Sequence, residues 1–598
     1  MNVLVFLLIS LIVHAIPIPF STEYLRPNRL IKWLPFRLVW GTVAWVIICL
    51  LFAMTLPWAI ITLIMSFAAL MVVSSGFRPG GDIEQMLEGI RVPYACIGIL
   101  ILIILPGFSG IISWTSDVSN AEYFDSMITV TDDPLFENPI PDRMVRLVTA
   151  EYATFVAKQR LSAFGSNTAV AAAHITTRNG TLVWVCTIIS TNVLAENKVL
   201  GFIVVDANDP QSVSPTLINQ TTIPVGEGLF WDKNIQFSNY LNDMTTSYQY
   251  AYPTWDPNGH LVYVQTRTPL GFDFVERAIG PIVYWENGTV AQYDTIQDTP
   301  EWITQAYGEE WLERQITRWG GYRRGDGFDL FAGGFLWVIP PSNDRLEIHE
   351  DTRYIINPDS GHVEAFIAVH PVTAANTLAG VFRATHTEVF YHDLSGLNLV
   401  SGATASSVVI ANLVPPSGGY YFGAMPLLYP VQISPTETKW TWYTPIYWTD
   451  ETWDPDTEEY IATNMRLHAL GLVDASNIDK IAWAVTAGEG VTLTGEDLVY
   501  AARADYVNLF GGTIEEPETD TFNMTANVVS KVTDIVDSNQ HIVLETDNAT
   551  FLHIEGARAW MNLTDWYTLL IDIGPSDNFT ATLRLVNGVY RILAIIKN

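Results

Sequence analysis

Five of the eleven histidines fall between residues 349 and 392, namely His349, His362, His370, His386 and His392. Glu347, Glu350, Asp351, Glu364, Glu388 and Asp393 are interleaved with them. Imidazole and carboxylate together suit zinc, so His349, His362 and His370 are the first candidates for a metal site. Convergence depends on register. Asn357-Pro358-Asp359-Ser360-Gly361 reads as a hairpin turn, and if residues 346–356 pair with 362–370, a shift of one residue decides whether His349 and His370 share a face. The stretch has no HExxH motif and no tight histidine spacing, which argues against a preformed zinc site.

Residues 448–460 read WTDETWDPDTEEY, and hard oxygen ligands at this density would suit calcium, with Asp454 and Asp456 first. The spacing is not that of an EF-hand, and a solvated acidic loop explains the run as well. Arg314, Arg318, Arg323 and Arg324 form the most basic patch after residue 115. They would hold an anionic sugar or lipid headgroup, or pair with surrounding acids. No GxSxG elbow, phosphate loop, dinucleotide fingerprint or catalytic cysteine context is present. The sequence therefore points to an enzyme only weakly.

The elements that position these residues divide at residue 115. Up to there the chain has six Lys or Arg and four acids; subtracting these from totals of 31 and 63 leaves 25 bases and 59 acids, a net of −34. So acidic a surface argues against nucleic acid as a partner. Three cysteines, two of them (Cys49 and Cys96) in apolar runs, exclude a disulfide framework in the remainder, so a large core must supply stability.

Apolar runs at 2–20, 38–55, 58–75 and 94–114 predict four membrane spans, with three as the alternative if 38–75 crosses once. A cleaved signal peptide fits residues 1–22 less well, because the basic leader is missing and Pro17 and Pro19 stand where small residues should. Arg26 to Arg37 and Arg78 to Arg91 lie in short loops that the positive-inside rule puts in the cytoplasm, which makes the acidic remainder extracytoplasmic. Gly98, Gly107 and Gly110 on the last span would allow close helix packing. Seven glycosylation triplets (Asn179, Asn219, Asn287, Asn523, Asn548, Asn562, Asn578) agree with that placement, although chance gives roughly four or five.

Residues 116–142 read as a linker, 143–295 and 296–510 as two α+β domains, 511–521 as a second linker and 522–598 as a barrel. Strands are predicted at 182–190 and 199–206, and hairpins turn at Asp256 to Gly259, Asn287-Gly288 and Asn357 to Gly361. Thr299-Pro300-Glu301 predicts the start of a helix running to Trp319. Residues 327–341, GFDLFAGGFLWVIPP, read as buried strand, with a membrane-dipping segment as the alternative.

A helix followed by hairpins, one of them turning through Asn-Pro-Asp-Ser-Gly, resembles the PepSY-type modules of extracytoplasmic proteins, and residues 144–206 with the later hairpins have room for two. Three strands, a helix and a final hairpin turning at Asn587-Gly588 resemble an OB-type barrel. The fold class expected is thus an N-terminal transmembrane helical bundle plus a multi-domain, antiparallel β-rich α+β ectodomain with a C-terminal OB-like β-barrel. Its expected partners are the lipid bilayer and other membrane or surface proteins, including a second copy of the chain, in a structural or interaction role. The competing class is an enzyme or solute receptor using zinc or calcium.

Overall fold

The computed structural model describes all residues except 17–26, 75–90, 132, 179, 193–195, 210–213, 220, 349–352, 416–417, 455–458, 489–490, 513–520, 537–538, 549–552, 558–560, 562 and 587–588.

Four apolar helices come first: α1 (Val3–Ala15), α2 (Pro27–Trp45, continued by a wider turn to Leu51), α3 (Leu56–Ser74) and α4 (Arg91–Met127). Stretches of α2, α3 and α4 are long and apolar enough to cross a membrane. The first helix is not. Its 13 residues rise about 20 Å, short of the roughly 30 Å of a hydrocarbon core. Among the described residues three of the four expected spans have the needed length, residues 17–20 of the first lie outside them, and 38–55 and 58–75 are separate helices. Ser10 and His14 on α1 turn inward: Ser10 Oγ donates to the Gly41 carbonyl at 2.8 Å, and His14 Nε2 lies 3.1 Å from Ser66 Oγ. This polar seam ties α1 to α2 and α3 where apolar attraction between helices is weak. Gly98 packs α4 on α3, since a Cβ there would stand 2.7 Å from the Ala68 carbonyl, whereas Gly107 and Gly110 face open space.

Residues 116–127 continue α4 instead of forming a linker, because Ala121 and Phe124 are fully buried in the soluble core. The chain then enters strand Ile128–Thr131, which pairs in parallel with Val389–Asp393 at the edge of a six-stranded, otherwise antiparallel sheet. Three further antiparallel sheets of four, five and five strands span 168–219, 246–292 and 420–485. The strands at Thr181–Ser190 and Val199–Asp206 and the three hairpins stand where the sequence puts them. Helix α5 (Ala150–Gln159) covers the first of these sheets, capped by the Thr149 hydroxyl.

The boundary expected near residue 295 separates no cores. One hydrophobic cluster runs from Phe124 through Trp184, Tyr252, Trp311, Phe382 and Trp442 to Val507. A smaller one lies between the 168–219 and 246–292 sheets. The helix expected from Thr299 begins ten residues later. After α6 (Ile235–Asn242) comes α7 (Glu309–Gly321), with Gly308 as its cap and two acids in its first turn. Ile303 and Tyr307 are buried ahead of the helix, Ile303 in a turn closed by its N–H to the Pro300 carbonyl. Helices α8 (Gly402–Asn412) and α9 (Gly495–Asn508) complete the core.

Beyond residue 520 five strands, Thr521–Val536, Asn539–Thr546, His553–Ala557, Asn578–Val586 and Val589–Lys597, close into a barrel. The third strand runs parallel beside the fifth, and the fourth returns to the first. Helix α10 (Leu563–Tyr567) and the turn after it put Trp566 and Leu569 into the barrel core. Gly556 is required there, since a Cβ would lie 2.2 Å from Leu569 Cδ2.

Candidate functional site

Among the described residues the metal candidates His362 and His370 are not brought together. His370 is fully buried on Val363–Pro371, opposite Glu347 in register, and its Nδ1 donates to the Thr377 carbonyl at 2.7 Å. His362 lies beyond the start of that strand and pairs with Glu301 at 3.2 Å. His349 lies outside the described residues. His392 is buried against the Asp133 carbonyl, and burial lowers its pKa. Asp454 ends a strand opposite Glu459, with its side chain outside the description, as is all of Asp456. Among the described residues no three His, Cys, Asp or Glu side chains form a metal-sized group.

The glycosylation triplets divide similarly. Asn219 and Asn287 are exposed, the latter in a hairpin turn where its Oδ1 accepts from the Thr289 N–H. Asn548 is half-buried, and Asn578, exposed like Asn219 and Asn287, donates its amide to Asn527 Oδ1 at 3.0 Å. Asn523 has a described backbone on the first barrel strand, and Asn179 and Asn562 lie outside the described residues.

The arginine patch is a joint. One helical turn apart on α7, Arg314 and Arg318 flank Glu276, at 2.8 Å and 3.2 Å, and Arg318 also meets Asp117 of α4 at 2.9 Å. Trp319 Nε1 donates to Asp125, and Asn120, buried on α4, accepts from the Glu276 N–H at 2.9 Å and donates to the Phe274 carbonyl. Arg324 instead pairs with Asp329. The upper part of α4 is therefore bolted to the soluble core along one helix face.

A second joint is made by α6. Tyr240 and Met244 pack with Val3, Phe6, Ile48 and Leu63 of the bundle. Tyr240 donates to the Met54 carbonyl, the Leu56 N–H to the Met244 carbonyl, and the Met244 N–H to the Met1 carbonyl. The start of α1, the turn before α3 and the exit of α4 thus share the end that faces the soluble part. Ile16, Arg37 and Ser74 meet at the other end, where Arg37 donates to the Ile16 carbonyl and to Ser74 Oγ.

One polar cluster went unread in the sequence. His174 stands in an alanine-rich strand, Thr168–Arg178, and its Nε2 lies 2.6 Å from Glu227 Oε2, 53 residues away. Tyr263 donates to the same oxygen at 3.0 Å, and Tyr250 stacks edge-on to the imidazole. Burial alone would lower the His174 pKa; the Glu227 carboxylate, with Glu309 and Glu310 behind it, outweighs this and raises it. Burial raises that of Glu310 and keeps Tyr263 a phenol. A lone histidine among small residues is the only trace of this cluster in the sequence. Glu227 sits on a loop pressed onto the sheet by Gly228, whose φ is +69° and whose Cβ would lie 2.9 Å from Ala171.

An open cavity of about 460 Å³ lies elsewhere, lined by Arg353, Ser406, Ser407, Tyr421 and Met425 among others. Arg353 is 3 % exposed, burial pushes its pKa well down, and nearby Arg146 adds repulsion.

Compared with known proteins, the chain matches no family model and no curated relative.

Proposed function

We propose that the chain is a membrane-anchored, extracytoplasmic structural or interaction component of a surface assembly. The observation that carries this reading is the joint: α4 runs without interruption from its apolar stretch into the soluble core and is fixed there by Asp117, Asn120 and Asp125. A soluble body clamped to its anchor at two places presents its surface at a set height and angle to the membrane, as a scaffold requires. Arg29, Lys32 and Arg37 lie on the first half of α2, and Arg37 marks the end away from the soluble part, which under the positive-inside rule supports an extracytoplasmic location. Exposed Asn219 and Asn287 would then be open to glycosylation.

The barrel reading fits the OB type, in which five strands close in a Greek-key order, and the observed order with its parallel third and fifth strands and intervening helix supports it. The PepSY-like reading rests on α5 against the 168–219 sheet. Suitable partners are the bilayer and other membrane or surface proteins, a second copy included, and the net charge of −34 beyond residue 115 disfavours nucleic acid. Extraction of the native chain in mild detergent, with mass measured by light scattering, tests the proposal. A mass above one chain, with partners or copies identified, is expected; a strictly monomeric, partner-free chain would count against it.

A second reading, a receptor for a small anionic solute, is favoured by Arg353 at the 460 Å³ cavity, beside the Ser406 hydroxyl, which is buried without a partner. Saturable binding of a carboxylate or phosphate compound, lost in Arg353→Met, would favour the receptor.

A further inference from the structure

The segment expected as a buried strand, residues 327–341, is a series of turns whose tip is bare. Phe335, Leu336, Trp337 and Val338 are 45, 61, 98 and 76 % exposed. Four consecutive large apolar residues facing water cost solubility, and such patches mark contact surfaces. The tip is nonetheless tightly built: the Phe335 and Ile339 backbones exchange both hydrogen bonds, and the Val338 N–H returns to the Phe335 carbonyl. Leu336 and Trp337 are held at φ of +40° and +50°, a region large side chains avoid.

The tip is joined to the bundle through aromatic rings. Phe335 packs on Phe331 at 5.0 Å, and Phe331 on Trp114 of α4 at 5.4 Å. Two other loops repeat the arrangement. Phe272 is 68 % exposed two residues from Phe274, which packs on Trp58 at the start of α3. Phe230 and Trp231 are 50 and 44 % exposed, and Trp231 contacts Phe237, which reaches Tyr240 and its bond to Met54. Each loop is thus tied to one of the chain segments that meet the soluble part at the top of the bundle. Trp231 and Phe274 also have positive φ, 56° and 58°, so four of the nine non-glycine residues at positive φ among those described are large apolar residues of these three loops. Backbone strain that recurs with exposed aromatics at one level of the molecule has a functional rationale rather than a packing one.

We infer that these three loops form a collar inserted into the lipid headgroup layer around the bundle, with Leu336-Trp337-Val338 as its deepest wedge. Tryptophan at this depth buries its ring while the indole N–H stays hydrated, the chemistry of the aromatic belts that flank membrane spans, and the phenylalanines add apolar area beside it. The occupant is the bilayer and not a protein groove, because the loops connect through Phe274 and Phe331 to Trp58 and Trp114, at the start of α3 and the end of the apolar stretch of α4, and through Phe237 and Tyr240 to Met54. The inference rests on the membrane-anchored reading.

Depth measurement on the full chain in phosphatidylcholine–phosphatidylglycerol nanodiscs tests it. With Cys96→Ala as background, Cys49 and Cys186 remain buried, and burial raises the Cys186 thiol to about 12. A fluorophore at Trp337→Cys is expected to be quenched by bilayer bromolipid as strongly as one at Trp114→Cys, and severalfold more than one at Asn258→Cys. Asn258 is an exposed turn residue at the far end of strand Leu261–Pro269, about 30 Å from the 271–275 loop. A Trp337 label quenched by aqueous iodide as the Asn258 label is, or shielded from both quenchers by protein, would overturn the collar. A label at Ile104→Cys separates the two ideas: quenched by bromolipid while the Trp337 label is not, it leaves the anchor standing and removes only the collar, and unquenched, it removes both. Trp337→Gly adds a folding control. Glycine relieves the positive φ, so melting in detergent should be unchanged or higher, and a fall of several degrees would make the tip a packing element and overturn the wedge.

Discussion

Replacing Glu276 with alanine takes the shared carboxylate out of the joint between α4 and α7. Glu276 is 16 % exposed in its side chain and lies between Arg314 and Arg318, themselves 32 and 20 % exposed. Hydrogen bonds to charged groups contribute about 1.5–3 kcal/mol each when fully sheltered. Partial exposure here reduces each to roughly 1 kcal/mol. Once the acid is gone, two guanidiniums one turn apart on α7 repel by a few tenths of a kcal/mol more. The loss is about 2–3 kcal/mol, limited because Arg318 keeps Asp117 and Arg314 keeps Gln249 Oε1 at 2.6 Å. With an unfolding entropy near 2.1 cal/mol/K per residue, a core of roughly 400 residues should melt about 3 °C lower. Scanning fluorimetry of the full chain in nanodiscs, at one scan rate, measures it. Glu276→Gln, which keeps the acceptor but not the charge, should fall about half as far. In 1 M salt, where the screening length drops to about 3 Å, most of the difference should survive because the pairs are partly buried. An alanine variant that melts with the wild type at low salt, or a difference abolished by salt, would refute the reasoning that this network is sheltered and holds the joint.

His174 gives a pH dependence of known sign. Its pKa is raised by Glu227, so its contribution to stability is complete below the ordinary histidine value of about 6.5 and is lost as pH rises through the raised value. Melting temperature should decline over that window, and Glu227→Gln should flatten the slope; the groups facing the imidazole are Glu227, Glu309, Glu310, Tyr250 and Tyr263. His370→Ala should lower stability by about 2–3 kcal/mol through a lost buried bond and a cavity, and leave the zinc content of the purified chain unchanged. Zinc at one per chain, lost in that variant, would restore the metal reading. In a glycosylating host, Asn287→Gln and Asn219→Gln should each remove one mobility step on a gel.

Local order was legible in the sequence wherever a residue type dictates a local geometry. Gly259, Gly288 and Gly361, all at positive φ, mark three hairpins found as foreseen. The 38–75 run divided at Leu56-Pro57, where proline starts α3. What the sequence hid was long-range. Residues 116–127 look polar because Asp117, Asn120 and Asp125 are there, yet each is spent on a partner about 150 to 200 residues away, so the helix continues where composition suggests a linker. Residues 327–341 look like core because they are apolar, yet the apolar side chains at their tip face outward, and no periodicity distinguishes a buried strand from a wedge. At 295 one hydrophobic cluster runs across the expected division, and a shared core leaves no local mark in the sequence.

The same distant pairing explains why α7 organises the site. Its first turn carries Glu309 and Glu310, whose charges act on His174, while Arg314 and Arg318 follow at intervals of four from Glu310 and grip Glu276 and Asp117. Acids at the start and arginine in the last turn also suit the helix dipole, so the arrangement costs the helix nothing. One rigid helix therefore connects the loop that Glu227 fastens, which continues to Phe230 and Trp231, with the exit of α4. The second half of α7 is held by partly buried ion pairs to Glu276 and Asp117, and its first turn lies close enough to His174 for its two acids to act on the imidazole. Contacts from α4 to α7 and to the 274–276 loop thus tie the soluble part to the bundle at several points, which supports the proposed reading of a body held in place on its anchor.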